Sequence, residues 1–294
     1  MTPAPQTAQL ITIRDNLRLH VLHWPAPGQP FVLLHGLASN AHTWEAVARR
    51  LQAKGHAVYA VDQRGHGHSD KPAPDSETAP CGGYDFGTVA EDLALLCAAL
   101  ALPAPIIAGQ SWGGNVVLEF GARYPHRAAG LVMVDGGFLD LQARPDVTWE
   151  QIADQLRPPA LAGTQRSVLQ QRLAAWHPDW SQEGIEATLH NFETLADGSI
   201  RPWLTLDRHM QILRALWEQR PPQLYGQVLE PVLIAAAEDA DNPEWLAVKH
   251  RQVAAAASTL AHVQVQWFAN TAHDIHVHRP HELAALMLAW SKEL

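Results

Sequence analysis

The stretch Ile106-Ile107-Ala108-Gly109-Gln110-Ser111-Trp112-Gly113-Gly114-Asn115-Val116-Val117 decides how the chain is read. A short apolar run meets a Gly-x-Ser-x-Gly turn, and a helix-like run follows at once. A strand that turns straight into a helix leaves no room for side chains two residues before and two after the serine. Gly109 and Gly113 meet that demand. The helix that follows aims its unpaired N–H groups back at the turn, where negative charge can be held. Ser111 is therefore posed as a nucleophile. A plain glycine-rich turn reads the same over five residues, so the chain on either side must decide between the two.

Outward from that turn, short apolar runs alternate with helical patterns. Residues 10–14 and 17–23 read as two strands about an Asp15-Asn16 turn, with Leu17, Leu19 and Val21 alternating with polar partners. Phe31-Val32-Leu33-Leu34 is a buried, parallel-type strand that runs into His35-Gly36-Leu37. A helix over 43–54 and a strand over 57–61 follow, the strand ending in Asp62-Gln63-Arg64-Gly65-His66-Gly67-His68-Ser69. Residues 72–83 are a polar loop rich in Pro and Gly, and 88–100 a helix with a broad apolar face. After the serine come a helix to about residue 124 and a strand over 129–134 that ends at Asp135-Gly136-Gly137. Strands and helices alternating with short links predict an α/β fold: a mainly parallel sheet with helices on both faces and right-handed crossovers.

That rhythm breaks at residue 138. Helical patterns dominate to about 226, interrupted by prolines and carrying Trp149, Trp176, Trp180, Trp203 and Trp217. The segment reads as a helical insertion whose tryptophans mostly pack, with one or two facing a pocket. A strand over 231–235, a helix over 243–260, a strand over 263–268, a loop over 269–278 and a last helix over 280–294 resume the alternation.

Composition narrows the function classes. The 294 residues carry 21 basic and 30 acidic side chains, a net charge of −9, with no Lys/Arg cluster of the kind that tracks phosphates, so nucleic acid is not an expected partner. Cys81 and Cys97 make no metal-type pair and fit a reducing compartment. The first nine residues lack the basic and apolar regions of a signal peptide, and no apolar run approaches the ~18 residues of a membrane span. The expectation is a cytoplasmic protein with no membrane partner.

With the Gly-x-Ser-x-Gly turn, the His35-Gly36 turn, the run from Arg64 to Ser69 and a late Ala272-His273, the chain resembles the α/β-hydrolase superfamily. The order of these motifs carries the likeness more than any one of them. The resemblance covers nearly everything outside the insertion. It implies a hydrolase core over 1–135 and 227–294 and a helical cap over 136–226, inserted after the family's sixth core strand.

The resemblance also implies roles. His273, in the loop after the last strand, is the base that takes the Ser111 proton. His276, His278 and His281 lie close by, but His276 and His278 alternate, and no cysteine or paired carboxylate completes a zinc set, so no metal and no cofactor is expected. The acid that orients the histidine should follow the strand at Val232 in a Gly-x-x-Asp pattern. The chain reads Ala235-Ala236-Ala237-Glu238-Asp239-Ala240-Asp241, with no glycine. Asp239 is the first choice. Asp135, the position certain haloalkane dehalogenases use, is second, and it could equally hold loop N–H groups. Asp241 is third. Leu37 and Trp112 would supply the two backbone N–H groups of an oxyanion hole. His35 is read as bracing its loop, with facing the pocket as the second reading, and residues 64–69 as a structural turn with no phosphate-loop pattern.

The expectation that follows is a cofactor-free serine hydrolase, cleaving a carboxylic ester of a small apolar molecule through an acyl-enzyme. Serine in place of aspartate at the turn argues against haloalkane dehalogenase or epoxide hydrolase chemistry. Lactonase, thioesterase, C–C hydrolase and perhydrolase reactions would use the same site. A non-catalytic small-ligand receptor is the reading from another class.

Overall fold

The chain begins with a hairpin, β1 (Thr7–Arg14) and β2 (Leu17–Trp24), paired antiparallel as the alternation at Leu17, Leu19 and Val21 predicts. In this computed structural model residues 6–73, 83–143, 146–239 and 243–294 are described. Cys81, Asp241 and most of the expected loop over 72–83 lie outside them. The alternating part follows: β3 (Gly28–Leu34), α1 (Glu45–Ala53), β4 (His56–Val61), α2 (Phe86–Ala99), β5 (Ile106–Gln110), α3 (Trp112–Arg123) and β6 (Gly130–Val134). Asp85 starts α2 by accepting the Thr88 N–H on its side chain, which satisfies one of the helix's unpaired donors.

Between β6 and the next sheet strand the chain runs through α4 (Trp149–Gln155), α5 (Arg166–Trp176), α6 (Gln182–Leu189), β7 (Phe192–Thr194), β8 (Ile200–Pro202) and α7 (Leu206–Glu218). The helical pattern expected there is correct except for the β7–β8 hairpin, which turns through Asp197-Gly198 with Gly198 at φ +80°. The chain then rejoins the sheet with β9 (Val232–Glu238), α8 (Pro243–Thr259), β10 (Val263–Ala269), α9 (Ile275–His278) and α10 (Pro280–Trp290). The stretch expected as loop over 269–278 thus contains the short α9.

Eight of the ten described strands form one sheet in the order β1-β2-β4-β3-β5-β6-β9-β10, with every pair from β4 to β10 parallel. Successive residues of a strand face opposite sides of the sheet. Leu34, Ile107, Met133 and Ile234 pack on one side with α2 and α3, while Leu33, Ala108, Val132 and Leu233 pack on the other with α1 and α10. A small separate core of Leu169, Leu173, Ile185, Leu189 and Ile200 holds α5, α6 and β8 together.

The parallel register sets the place of any site. Leu34 pairs with Gly109, Gln110 with Val134, and Val134 with Ala235. The carboxyl ends of β3, β5 and β6 therefore stop at nearly one level, and His35, Ser111 and Asp135 leave the sheet side by side, while β9 runs past Ala235 to Glu238 before it reaches Asp239. Open parallel sheets bind their ligands at this edge.

Candidate active site

Ser111 connects β5 directly to α3 and has φ +54° and ψ −121°, a conformation that L-residues adopt only under constraint. The constraint is packing. A Cβ on Gly109 would lie 2.2 Å from the Gly113 carbonyl oxygen, and one on Gly113 would lie 2.5 Å from the His35 carbonyl oxygen. Only glycine at both positions lets α3 begin so close to the strand ends. A Cβ on Gly36 would come within 3.2 Å of Ser111 Cβ, so the His35-Gly36-Leu37 turn lies against the serine.

Leu37 and Trp112, the two expected N–H donors, therefore both belong to backbone that borders Ser111. Trp112 is the first residue of α3, and its N–H has no acceptor inside the helix. The turn that carries Leu37 is braced from below. His35 Nδ1 lies 2.7 Å from the Gly36 carbonyl, which makes it the donor, and His35 Nε2 accepts the Gln63 N–H at 3.0 Å. His35 thus braces its loop, as expected. His66 does the same one residue further on, accepting the Ala38 N–H on Nε2 at 3.2 Å, with its Nδ1 3.0 Å from the Arg64 carbonyl. Both rings are buried, and burial lowers both below the ordinary histidine value, so each is held neutral.

Asp62 anchors the run that contains His66. Its carboxylate accepts the Ala41 N–H at 2.8 Å, the His68 N–H at 3.0 Å and His20 Nδ1 at 2.8 Å. Burial alone would raise this acid, but these donors, the His20 hydrogen bond foremost, hold it well below the usual carboxylate range. Residues 64–69 are thus a structural turn under the site.

His273 sits in the loop after β10, and its Nδ1 lies 2.6 Å from Asp135 Oδ2. The structure thus brings His273 to Asp135, the second choice of acid, and not to Asp239, the first. The histidine meets the carboxylate at the end of β6, while Asp239 follows β9, one strand further from β5. The loop from β10 crosses the sheet edge as far as β6, which brings the ring to Asp135. Asp135 is wholly buried at φ +43°, and its Oδ1 accepts the Ala237 N–H at 2.9 Å. That oxygen holds a strand N–H of β9, not the loop N–H groups of its alternative reading.

Lys249 of α8, not singled out by sequence, reaches the same carboxylate. Its Nζ lies 2.8 Å from Asp135 Oδ2 and 2.9 Å from the Ala237 carbonyl. Burial pushes Asp135 up, but His273 and Lys249 outweigh it and leave the acid below its ordinary value. Burial likewise pushes His273 down, and the hydrogen bond and charge of Asp135 more than reverse this, so the imidazole sits above its ordinary value.

Ser111 and His273 face one cavity of about 590 Å³. No hydrogen bond joins them, and in such sites this contact commonly tightens only in the substrate complex. The wall is mostly apolar: Leu139, Leu141, Val147, Ile152, Leu156 and Leu216, all from the stretch between β6 and β9, with Gln155 and Glu244 as polar members. The tryptophan that lines it is Trp245 of α8. The five tryptophans between β6 and β9 lie elsewhere: Trp149 packs near Trp217, Trp180 stacks on His177, Trp203 lies beside His68, and Trp176 is exposed. His276 and His278 turn away from His273, one against Trp44 and the other toward Asp179. Among the described residues no group of three or more His, Cys, Asp or Glu is placed to hold a metal, and no helix is long and apolar enough to cross a membrane.

A family model described as the alpha/beta hydrolase fold matches residues 29–280. The chain is 30% identical to the 2-(acetamidomethylene)succinate hydrolase of Mesorhizobium japonicum over 215 residues, 72% of this chain and 71% of that one. It is 35% identical to a non-heme chloroperoxidase of Streptomyces lividans over 126 residues, 42% of this chain and 43% of that one. In the solved structures, E-2-(acetamidomethylene)succinate hydrolase matches with a TM-score of 0.79 at 22% identity, over 98% of this chain and 100% of that one.

Proposed function

The chain belongs to the alpha/beta hydrolase fold family, and its family and relatives mark it as a hydrolase; from that premise we propose that it is a serine hydrolase of neutral, largely apolar carboxylic esters. The observation that carries this reading is the pairing of buried Asp135 with His273, 2.6 Å apart, on the wall of the cavity that Ser111 enters from its constrained turn.

In this reading Ser111 Oγ attacks the acyl carbon as His273 Nε2 takes its proton. Asp135 holds Nδ1–H and stabilises the imidazolium. The carbonyl oxygen gathers negative charge against the N–H groups of Leu37 and Trp112, each worth on the order of 3 kcal/mol in such sites. His273 then protonates the departing alcohol, and a water, activated by the same ring, cleaves the acyl-enzyme. Asp239 and Asp241 have no part in these steps, and none of them calls on a metal or cofactor.

Residues 136–226 act as the cap in this proposal. Six apolar side chains from that stretch form most of the cavity wall, and the described lining residues include no Lys or Arg. The volume suits a small substrate. An acyl group without charge fits this wall, while a carboxylate placed there would meet Glu244 and no cation.

The test is turnover of p-nitrophenyl esters of rising acyl length by the native protein and by Ser111→Ala. Hydrolysis that is abolished in the variant, and that favours uncharged acyl chains over succinyl esters, is the expected result. Hydrolysis that survives the substitution would remove Ser111 from the mechanism, and tight ester binding without turnover would favour a receptor.

A further inference from the structure

The buried cation behind the acid has no part in the steps above. Asp135 Oδ2 receives two donors, His273 Nδ1 at 2.6 Å and Lys249 Nζ at 2.8 Å. Both backbone groups of Ala237 are held, its N–H on Asp135 Oδ1 at 2.9 Å and its carbonyl on Lys249 Nζ at 2.9 Å. The side chains of Lys249 and Asp135 are 4% and 0% exposed. An ammonium so deeply buried loses most of its hydration, which only close acceptors can replace.

We propose that Lys249 is a positioning residue of this site: its ammonium fixes the orientation of Asp135 and sets the pH at which His273 becomes a free base. The proposal rests on the reading of Asp135 and His273 given above. A bare carboxylate buried behind a neutral imidazole is unfavourable, and the ring answers by keeping its proton to higher pH. With Lys249 present, the ring faces a neutral ion pair instead of a lone negative charge. The base is then freed at lower pH, while Asp135 stays ionised in both states of the ring. The other charged or titratable groups near the ring are Asp274 and His276, which follow it in the chain, and Glu244, which lines the cavity from α8. These remain in place when residue 249 is changed, so a difference between variants reports Lys249.

Two variants separate charge from packing. Lys249→Gln keeps a donor for Asp135 without the charge, and Lys249→Met removes both. The midpoint of the His273 ring, followed by NMR in the Ser111→Ala background, moves to higher pH in both. With Ser111 intact, kcat/KM near pH 6 falls about tenfold while its alkaline plateau falls only a few-fold. An unchanged ring midpoint in Lys249→Gln, or an equal loss of activity at every pH, would overturn the proposal. Should Lys249→Met fail to fold, Lys249→Gln alone decides. The ring titration does not depend on Ser111, so failure of the nucleophile assignment would show in turnover and leave this readout standing.

Discussion

Asp135 is where the residue-level chemistry turns, and it separates two carboxylates that sequence could only rank. Asp135→Asn is expected to lower kcat by about 10⁴, because the amide no longer holds the productive tautomer of His273. Asp239→Asn should leave kcat near that of the native protein. Steady-state kinetics of the pair checks this, and the reverse outcome would return the role to Asp239. The elevated His273 also fixes a pH dependence. The ring must be neutral to accept the serine proton, so activity falls as pH falls through its raised value, and the acidic limb of kcat/KM should lie above the ordinary 6.5. A limb at or below 6.5 would contradict the Asp135 pairing. Ser111 and His273 were legible because each sits in a local pattern, a Gly-x-Ser-x-Gly turn and a loop after the last strand. The carboxylate that pairs with His273 was not, because that pairing depends on how far a loop from β10 crosses the sheet edge. Lys249 was invisible for a related reason: it is a lysine on an ordinary-looking helix, buried only because Asp135 lies 114 residues away in sequence.

At the scale of elements, β5, the Ser111 turn and α3 form one rigid unit wedged against the end of β3. Its tightness is backbone on backbone, so it cannot be relieved by a rotamer change. Gly113→Ala should therefore be destabilising by roughly 1–3 kcal/mol, as overpacked sites usually are, even though alanine favours helix. The His35 carbonyl would be pushed away and the Leu37 N–H with it, so kcat should fall as well. Thermal melts and ester kinetics on the one variant read both effects, and a fully active, equally stable protein would refute the wedge. The strands of the sheet were legible because their apolar runs are short and bounded by turns. The β7–β8 hairpin was missed because its strands are only three residues long, although Asp197-Gly198 was a turn signal within a helical background.

Over the whole molecule, the buried histidines and acids make stability depend on pH. His276 is wholly buried against Trp44, and among the described residues neither ring nitrogen has a hydrogen-bond partner. Burial pushes it down to about 4. Between pH 6.5 and about 4 the unfolded chain takes up a proton that the folded chain refuses, so stability falls with pH across that window. Asp62 and Asp135, both held low, lose their contributions in the same direction at still lower pH. The raised His273 has the opposite sign, its contribution being present in acid and lost as pH rises through its folded value. His276→Phe should remove up to about 3 kcal/mol of the acid sensitivity. Denaturant unfolding at pH 7 and pH 4 measures it, and an unchanged pH slope in the variant would contradict the burial argument.

The fold, the cavity and the Asp135–His273 pair all converge on one oxygen atom, Ser111 Oγ. Covalent capture tests that most directly: treat the native protein with a fluorophosphonate, then locate the adduct by intact-mass and peptide mass spectrometry. A single adduct on the peptide bearing Ser111, absent from Ser111→Ala and slowed in Asp135→Asn, is the predicted result. An adduct on another residue, or none while esters are still hydrolysed, would contradict it.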